Sequence, residues 1–142
     1  MRPLQILLLL CLAIPSAWAD TLALRINQHS LQVEVAATRH SREHGLMQRQ
    51  QLCADCGMLF VFSRIERHTF WMKNTALPLA IAFIAADGSI INIEEMQANT
   101  TDHHRAQGDA LYALEMNSGW FARQGIKPGD KVRGLEQAPR GQ

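Results

Sequence analysis

The sequence has 142 residues, of which 47% are hydrophobic and 19% are charged. Its 14 Lys and Arg residues nearly balance 13 Asp and Glu residues, so the formal net charge is +1 with neutral histidines. A chain so close to neutrality lacks the strong positive field that attracts nucleic acid or an anionic membrane surface. We therefore expect no nucleic-acid partner and a single compact domain, which a chain of this length can form around one core.

The first residues have the features of a secretory signal. Arg2 provides a positive charge, the run Leu4–Ile14 is apolar apart from Gln5, and Ala17-Trp18-Ala19 is a small-x-small cleavage pattern. The apolar run is shorter than the roughly 20 residues of a membrane span. We predict that residues 1–19 are cleaved, that the protein is periplasmic or secreted, and that no stable membrane anchor remains. An uncleaved N-terminal anchor is the alternative.

The segment after the predicted cleavage site, residues 20–142, is expected to form one β-rich domain. Removal of Arg2 leaves 13 Lys and Arg residues against 13 Asp and Glu residues, so this segment is formally neutral. It contains no second long apolar segment, internal repeat or low-complexity tract. Pro139 and Gly141 lie near its end and predict a frayed tail from about Glu136 to Gln142.

Short apolar runs, several of them alternating with polar residues, predict that the domain consists mainly of strands. Asp87-Gly88 is a strong hairpin turn between two of these runs. Asn27-Gln28 and Pro128-Gly129 are further turns. The predicted strands lie close to residues 22–26, 31–35, 58–62, 69–72, 81–85, 89–94, 110–116 and 131–135.

Two short helices are also predicted. Thr38 can cap a helix that extends to about Gln48, although Gly45 weakens its middle. Asn117 or Ser118 can cap a second helical turn. About seven or eight short strands with two short helices predict a mainly β protein, a single small β-sandwich or squashed barrel.

Five short motifs follow one another along the chain. They are Gly45-Leu46-Met47, Gly57-Met58-Leu59-Phe60-Val61-Phe62, Phe70-Trp71-Met72-Lys73-Asn74-Thr75, Pro78-Leu79 and Leu114-Glu115. This ordered set closely resembles the family catalogued as domain of unknown function 192. The resemblance covers roughly Leu31 to Val132.

The resemblance implies a small β-rich domain that is often exported in bacteria, and it implies no established reaction, cofactor or ligand. The family usually carries an aspartate directly after the Pro-Leu pair, whereas this chain has Ala80. If that aspartate pairs with the lysine of the motif in relatives, Lys73 lacks this partner here. An activity that needs the pair is then in doubt for this chain.

Lys73 and Asn74 are the first candidate site residues, since an amine and an amide follow an aromatic strand. On a strand, Lys73 and Trp71 share a face, and the lysine stem can lie along the indole while the amine stays free. These groups can bind a carboxylate, a sugar hydroxyl or a phosphate. The alternative is structural: Lys73 extends to solvent, and Asn74, a favoured turn residue, closes the turn into Thr75.

Glu115 is the second candidate, a carboxyl group in an otherwise apolar strand. A buried carboxyl group must be paired or protonated, because an isolated buried charge is very costly. Lys73 is its first candidate partner and Arg42 the second. The functional interpretation is a ligand-binding cluster of Trp71, Lys73, Asn74, Glu115 and Arg42 at one end of the fold. The alternative is a structural ion pair.

Cys53 and Cys56 are the two cysteines outside the predicted signal. In an oxidising compartment the default for such a pair is a disulfide. A redox site is less expected, because thioredoxin-like thiols precede a helix, whereas Gly57 and an apolar strand follow here. A soft Cu(I) site with Met47 or Met58 is a further alternative. Met58 has the pattern of a core residue, so we expect no metal.

His40-Ser41-Arg42-Glu43-His44 fits the H-x-x-E-H pattern of inverted zinc proteases. Two histidines four apart share a helix face, but the predicted helix is short, Gly45 follows at once, and no later helix offers a third ligand. We therefore expect a solvated helix face rather than a zinc site. His103-His104 lies in the polar segment Asn99–Asp109, which we expect to be a mobile loop able to fold over a pocket.

Two functions from different classes remain. The first is a non-catalytic exported module of the cell envelope that binds a small molecule, such as an envelope glycan, without a cofactor. The second is a small envelope hydrolase or transferase that uses Lys73 with Glu115. The sequence has no serine elbow or phosphate-binding loop to support the second function, so we favour the first.

Overall fold

The structure is a computed structural model, and it describes residues 21–142. The predicted signal sequence therefore lies outside the described residues. Within residues 21–142, no helix is both long enough and apolar enough to cross a membrane.

The described part of the chain is mainly β-structure, as predicted. Its strands lie close to the apolar runs, because each run places alternate side chains on a buried face. The nine strands are β1 (Thr21–Ile26), β2 (His29–Ala36), β3 (Cys56–Glu66), β4 (Thr69–Phe70), β5 (Leu79–Ile84), β6 (Ile90–Met96), β7 (His104–Arg105), β8 (Ala110–Asn117) and β9 (Val132–Arg133).

Seven of these strands form one curled sheet in the order β6-β5-β8-β3-β2-β1-β9, and β4 and β7 form a separate two-stranded ribbon. Neighbours in the large sheet are antiparallel except β2 and β3, which are parallel. The two edges meet at one end, where Ser89 bridges to Lys131 and the Val132 amide donates to the Gly88 carbonyl at 2.9 Å. The sheet is thus a half-barrel, in agreement with the predicted squashed barrel.

The two faces of the sheet bury separate apolar cores. We call the first the inner core, because Ile90 from one edge and Val132 from the other both belong to it, together with Leu114 and Trp120. The second, which we call the outer core, contains other residues of the same strands, such as Phe60. Since successive strand residues point to opposite faces, the central strands β3, β5 and β8 contribute to both cores.

The first helix, α1 (Arg39–His44), begins as predicted and ends earlier than predicted. The Thr38 hydroxyl oxygen accepts a hydrogen bond from the Ser41 amide at 3.1 Å, completing a capping box. Gly45 follows at φ 50°, in the left-handed region that L side chains rarely adopt. This residue ends the helix, so the predicted extension to Gln48 is wrong.

The second helix, α2 (Trp120–Arg123), has Gly119 at its N-cap and no side-chain cap. The predicted cap by Asn117 or Ser118 is therefore wrong. Asn117 instead ends β8, and its amide nitrogen donates to the Leu52 and Cys53 carbonyl oxygens at 3.3 and 3.0 Å. The Asn117 side chain thus holds the loop that contains Cys53 against the sheet and does not cap α2.

Two further segments differ from expectation. The strand predicted over residues 69–72 ends at Phe70, because its ribbon partner β7 pairs only with Thr69 and Phe70. The Met72 amide instead donates to the Thr100 carbonyl at 3.0 Å. The segment 99–109, expected as a loop, contains β7 and so is partly a strand.

The tail that was expected to be frayed is bound to the rest of the domain. A 3-10 turn spans Leu135–Gln137. The Gln142 amide donates to the Ala37 carbonyl at 2.8 Å. A side chain at Gly141 would overlap the backbone of Phe62. Pro139 and Gly141, on which the expectation of a frayed tail was based, do not reveal these backbone contacts.

Candidate functional site

A cavity of about 320 Å³ lies on the outer face of the sheet, between α1 and the ribbon. We call it the aromatic cavity. Four of the five sequence motifs contribute to its lining, although they are far apart in the chain. The lining residues are Arg39, Arg42, Glu43, His44, Gly45, Leu46, Met47, Phe60, Phe62, Thr69, Phe70, Trp71, Thr75 and Glu115.

Gly45 brings the end of α1 close to the sheet. A Cβ atom at this position would lie 3.4 Å from the Phe60 ring, in van der Waals contact with it. Together with its φ of 50°, this close approach explains why the turn carries a glycine. The two residues that follow, Leu46 and Met47, also line the cavity.

Phe70 of the ribbon organises the aromatic wall. Its ring lies 4.9 Å from the Phe60 ring and 6.1 Å from the Phe62 ring, both edge-on. It also packs against Phe83 of β5 at 5.7 Å. Edge-to-face aromatic pairs contribute beyond their buried area, so these contacts fix the ribbon over the sheet and hold the cavity wall in place.

Glu115 contributes the buried carboxyl group of the cavity. It lies in β8 directly opposite Met58 of β3 and Ile81 of β5, and it is 4% exposed. Gly57 permits this close strand pairing, because a side chain there would overlap the Glu115 carbonyl oxygen and the Met116 sulfur.

The Glu115 carboxyl group has no hydrogen-bond or ion-pair partner among residues 21–142. Burial without such a partner raises its pKa from 4.5 to about 8, because the low-dielectric surroundings disfavour the charged form. The group is therefore mainly protonated at pH 7. A buried carboxyl group was expected to be either paired or protonated, and the structure supports the protonated form.

Arg42 lines the cavity but is committed to other contacts. Its guanidinium lies 5.5 Å from the centroid of the Phe62 ring. Its N–H groups donate to three backbone carbonyl oxygens. These belong to Ala37 at 2.6 Å, Val61 at 2.9 Å and Gln142 at 2.6 Å. The predicted pairing of Arg42 with Glu115 is therefore wrong.

Trp71 lies on the solvent side of the cavity and is 45% exposed. The Lys73 ammonium lies 5.3 Å from the centroid of its indole ring, although the strand on which the two residues were expected to share a face ends at Phe70. Lys73 is exposed, is absent from the cavity lining, and forms no ion pair with Glu115. Lys73 therefore reaches the site only through its contact with Trp71.

Asn74 is a turn residue, which was the structural alternative to a role in ligand binding. It has φ 55°, and its carbonyl oxygen accepts a hydrogen bond from the Gln48 amide at 3.1 Å. Asparagine tolerates this left-handed conformation better than most residues. Thr75, which follows, is buried, lines the cavity, and donates its hydroxyl to the Lys73 carbonyl oxygen at 3.2 Å.

Ala80 explains why the missing aspartate does not affect this cavity. It is fully buried and lies opposite Met116, in the inner core. Glu115 is the next residue of β8 and faces the outer side. A carboxylate at position 80 would therefore lie on the opposite face of the sheet from the aromatic cavity.

The structure places Cys53 and Cys56 in position for a disulfide, with Cα atoms 5.0 Å apart. Cys53 lies in the loop before β3 and Cys56 is the first residue of β3, and both are outside the aromatic cavity. Its Cα separation is within the usual range for a disulfide.

No metal centre forms from the histidine motif within the described range. Glu43 accepts a hydrogen bond from Arg39 at 2.8 Å on the exposed face of α1. Across residues 21–142, no three His, Cys, Asp or Glu side chains are grouped so as to hold a metal ion. His104 lies in β7 of the ribbon, outside this motif, and pairs with Glu94 at 2.8 Å.

Three of the five residues of the predicted cluster line the aromatic cavity. Trp71, Glu115 and Arg42 contribute to it, whereas Lys73 and Asn74 do not line it. The prediction missed the aromatic wall and Thr75. The motifs could have indicated these residues, because four of the five motifs contribute to the cavity lining. Each phenylalanine of the motifs, however, also fits the pattern of an ordinary core residue.

Two solved structures are similar to this one. A protein from Sinorhizobium meliloti 1021, named a candidate transcription regulator, has 37% sequence identity and a TM-score of 0.78, over 82% of this chain and 95% of that chain. A protein of unknown function from Novosphingobium aromaticivorans DSM 12444 has 34% identity and a TM-score of 0.79, over 84% of this chain and 89% of that chain. No curated protein sequence matches significantly.

The sequence also matches a family profile over residues 22–134. That profile describes domain-of-unknown-function family 192 (DUF192), an uncharacterized ACR. The matched range includes every motif on which the resemblance was based. The chain therefore belongs to domain-of-unknown-function family 192.

Proposed function

We propose that the protein is an exported small-ligand-binding module of the cell envelope, and that the aromatic cavity is its binding site. One observation carries the proposal. Glu115 is a buried carboxyl group without a partner, and it lines a cavity that also holds the half-exposed ring of Trp71. Buried polar groups are normally satisfied, so a group left unpaired in a cavity favours a ligand that completes it.

The size and lining of the cavity support a small ligand. Ligand sites usually occupy about 300–1,000 Å³ and combine apolar walls with a few polar groups. At about 320 Å³ the aromatic cavity is near the lower limit. It therefore fits a molecule no larger than a single sugar ring or an amino acid, or one such unit of an envelope glycan.

Export is the second part of the proposal, and it rests on the N-terminal sequence and the cysteines. Residues 1–19 have the charge, apolar run and cleavage pattern of a signal. The geometry of Cys53 and Cys56 suits a disulfide, which persists in oxidising compartments such as the periplasm.

A hydrolase or transferase is the second candidate function. The raised pKa of Glu115, about 8, is the property of a general acid. A covalent mechanism would also need a nucleophile in the cavity, and Lys73 is not among its lining residues. The cavity thus offers one of the two groups this function requires, so we place it after binding.

A thermal-shift screen of the protein against envelope glycans, amino acids, nucleotides and divalent metals tests the proposal. A specific ligand raises the melting temperature by linkage. The matched variants are Trp71→Ala, which removes the half-exposed ring at the cavity, and Ile65→Ala, which removes an exposed apolar residue elsewhere. We expect a ligand that stabilises the wild type and Ile65→Ala more than Trp71→Ala. A screen without any stabilising compound, or equal shifts in both variants, would contradict the proposal.

A further inference from the structure

We infer that the aromatic cavity binds a small organic cation, a primary or quaternary ammonium compound, whose charge pairs with Glu115. This inference rests on the proposed function and names the class of ligand. The following contacts support a cation over a neutral or anionic ligand.

Glu115 is the acidic side chain of the cavity that lacks a partner. Glu43, the other acidic lining residue, is paired with Arg39 at 2.8 Å on the exposed face of α1. Glu115 is 4% exposed, and neither Lys73 nor Arg42 reaches it with an ion pair. A bound primary ammonium group would supply both the charge and the hydrogen bonds that this carboxyl group lacks, and a quaternary ammonium group would supply the charge.

The aromatic lining also favours a cation. The faces of phenylalanine and tryptophan rings carry partial negative charge and attract ammonium and guanidinium groups. Two lining rings already contact cationic side chains of the protein. The Lys73 ammonium lies 5.3 Å from the Trp71 centroid, and the Arg42 guanidinium lies 5.5 Å from the Phe62 centroid. A carboxylate ligand would meet the same negative ring faces at a cost.

Apart from His44, the other charged residues that line the cavity have hydrogen-bond or ion-pair partners. From α1, Arg42 donates to backbone carbonyl oxygens, and His44 lines the rim. From β2 and β6, on the same face of the sheet, come two paired acids. These pairs are Glu34 with Arg49 at 2.8 Å and Glu94 with His104 at 2.8 Å. Glu115 is therefore the acidic side chain that remains without a partner in this part of the structure.

Cation binding has a consequence that neutral binding lacks. The free protein holds the Glu115 proton at pH 7, since burial raises the pKa of this carboxyl group to about 8. An ammonium ion that pairs with the carboxylate lowers this pKa and displaces the proton into the buffer. Binding should therefore release close to one proton for each cation bound.

Isothermal titration calorimetry of the protein with three probes tests the inference. Choline chloride is the cation, 3,3-dimethyl-1-butanol is its neutral carbon analogue, and sodium butyrate is the anion. Titration at pH 7 in two buffers with different ionisation enthalpies measures the protons released. We expect choline to bind with proton release and at least about tenfold more tightly than the alcohol, a ratio that matches one well-formed polar contact.

The variant Glu115→Gln should lose this preference for choline, and Glu136→Gln, which removes an exposed acid outside the cavity, should retain it. The pH dependence of choline binding to the wild type is a second test, and it does not depend on whether a variant folds. Its affinity for choline should rise roughly 50-fold from pH 6 to pH 8 as Glu115 becomes ionised.

The remaining outcomes overturn the inference. Equal affinity for choline and the alcohol, or binding of butyrate instead, would show a neutral or anionic ligand class and leave the proposed function intact. Choline binding without proton release would place the cation away from Glu115. Failure of all three probes, when the wider thermal-shift screen does find a ligand, refutes the cation class alone. Failure of both experiments refutes the proposed function as well.

Discussion

Glu115 in β8 lies directly opposite Met58 in β3, so the carboxyl group has an apolar side chain where a hydrogen-bonding partner could have been. Its neighbour on the other side, Ile81, is equally apolar. The carboxyl group therefore depends on its own proton to remain neutral. This dependence links the protonation of one residue to the stability of the sheet.

The stability of the protein should therefore decrease as the pH rises through the pKa of Glu115. The unfolded chain loses this proton near the ordinary pKa of 4.5, and the folded chain holds it up to about 8. The stability that depends on protonated Glu115 is fully present below pH 4.5 and is lost as the pH rises through 8. By linkage the full loss is up to roughly 5 kcal/mol in the free energy of unfolding.

Urea denaturation of the wild type and Glu115→Gln between pH 5 and pH 9 measures this effect. The glutamine variant should gain stability relative to the wild type as the pH rises, because it has no charge to bury. Glu136→Gln serves as the control and should follow the wild type. Parallel pH profiles for the wild type and Glu115→Gln would show that Glu115 is solvated or paired.

Lys73→Met should change stability only slightly. The ammonium group is exposed and its resolved contact is with the Trp71 ring at 5.3 Å. Exposed cation–π contacts contribute about 0.5–1 kcal/mol, and methionine retains an apolar stem against the indole. Chemical denaturation at pH 7 checks this. A loss of roughly 3–5 kcal/mol, the cost of breaking a buried ion pair, would show that Lys73 does pair with Glu115.

The strand pattern could be predicted from the sequence because alternation follows directly from burial. Even the central strand β5, which is buried on both faces, is recognisable as a short apolar run ahead of Asp87-Gly88. The end of β4 was not predictable in the same way. Whether the strand continues through Trp71 depends on whether β7 extends far enough to pair with it. β7 lies more than 30 residues further along the chain.

Some residues that line the aromatic cavity were candidates in the sequence and others were not, for a related reason. Glu115 was identified because a carboxyl group inside an apolar strand needs an explanation whatever surrounds it. Its pairing with Lys73 was not correct, because the direction of Lys73 is set by the turn at Asn74, with φ 55°, and not by strand alternation. The aromatic wall could not be separated from core packing by sequence, since Phe60 and Phe70 fill both roles.

Cys53 and Cys56 should contain no free thiol in the protein as isolated from an oxidising compartment. Thiol counting under denaturing, non-reducing conditions measures this. Reduction should lower the free energy of unfolding by about 2 kcal/mol, since the loop between the two residues is short. The Cys53→Ala/Cys56→Ala double variant is the control and should not respond to the reductant. Two free thiols in fresh protein would favour a redox or metal role.

Residues 1–19 should be absent from the exported protein. The positive start, the short apolar run and the Ala17-Trp18-Ala19 pattern together favour cleavage before Asp20. Intact-mass analysis of the protein from the periplasm or the culture medium decides the matter. Ala17→Leu should block processing, because cleavage needs a small residue there, while Gln5→Leu should not. An exported species that retains residues 1–19 would contradict cleavage and favour the uncleaved anchor.

Phe60→Ala should be the most destabilising of these substitutions at pH 7. The Phe60 side chain is 1% exposed, belongs to the outer core and lies edge-on to Phe70 at 4.9 Å. Removal of a buried phenylalanine ring costs about 3–5 kcal/mol in the free energy of unfolding. The same truncation at Ile65, which is 56% exposed, should change it by no more than about 0.5 kcal/mol. Because Phe60 also lines the aromatic cavity, the variant should bind ligand less well even where it remains folded. Near wild-type stability for Phe60→Ala would mean that β3 does not present this residue to the core, and the cavity wall built on it would then be wrong.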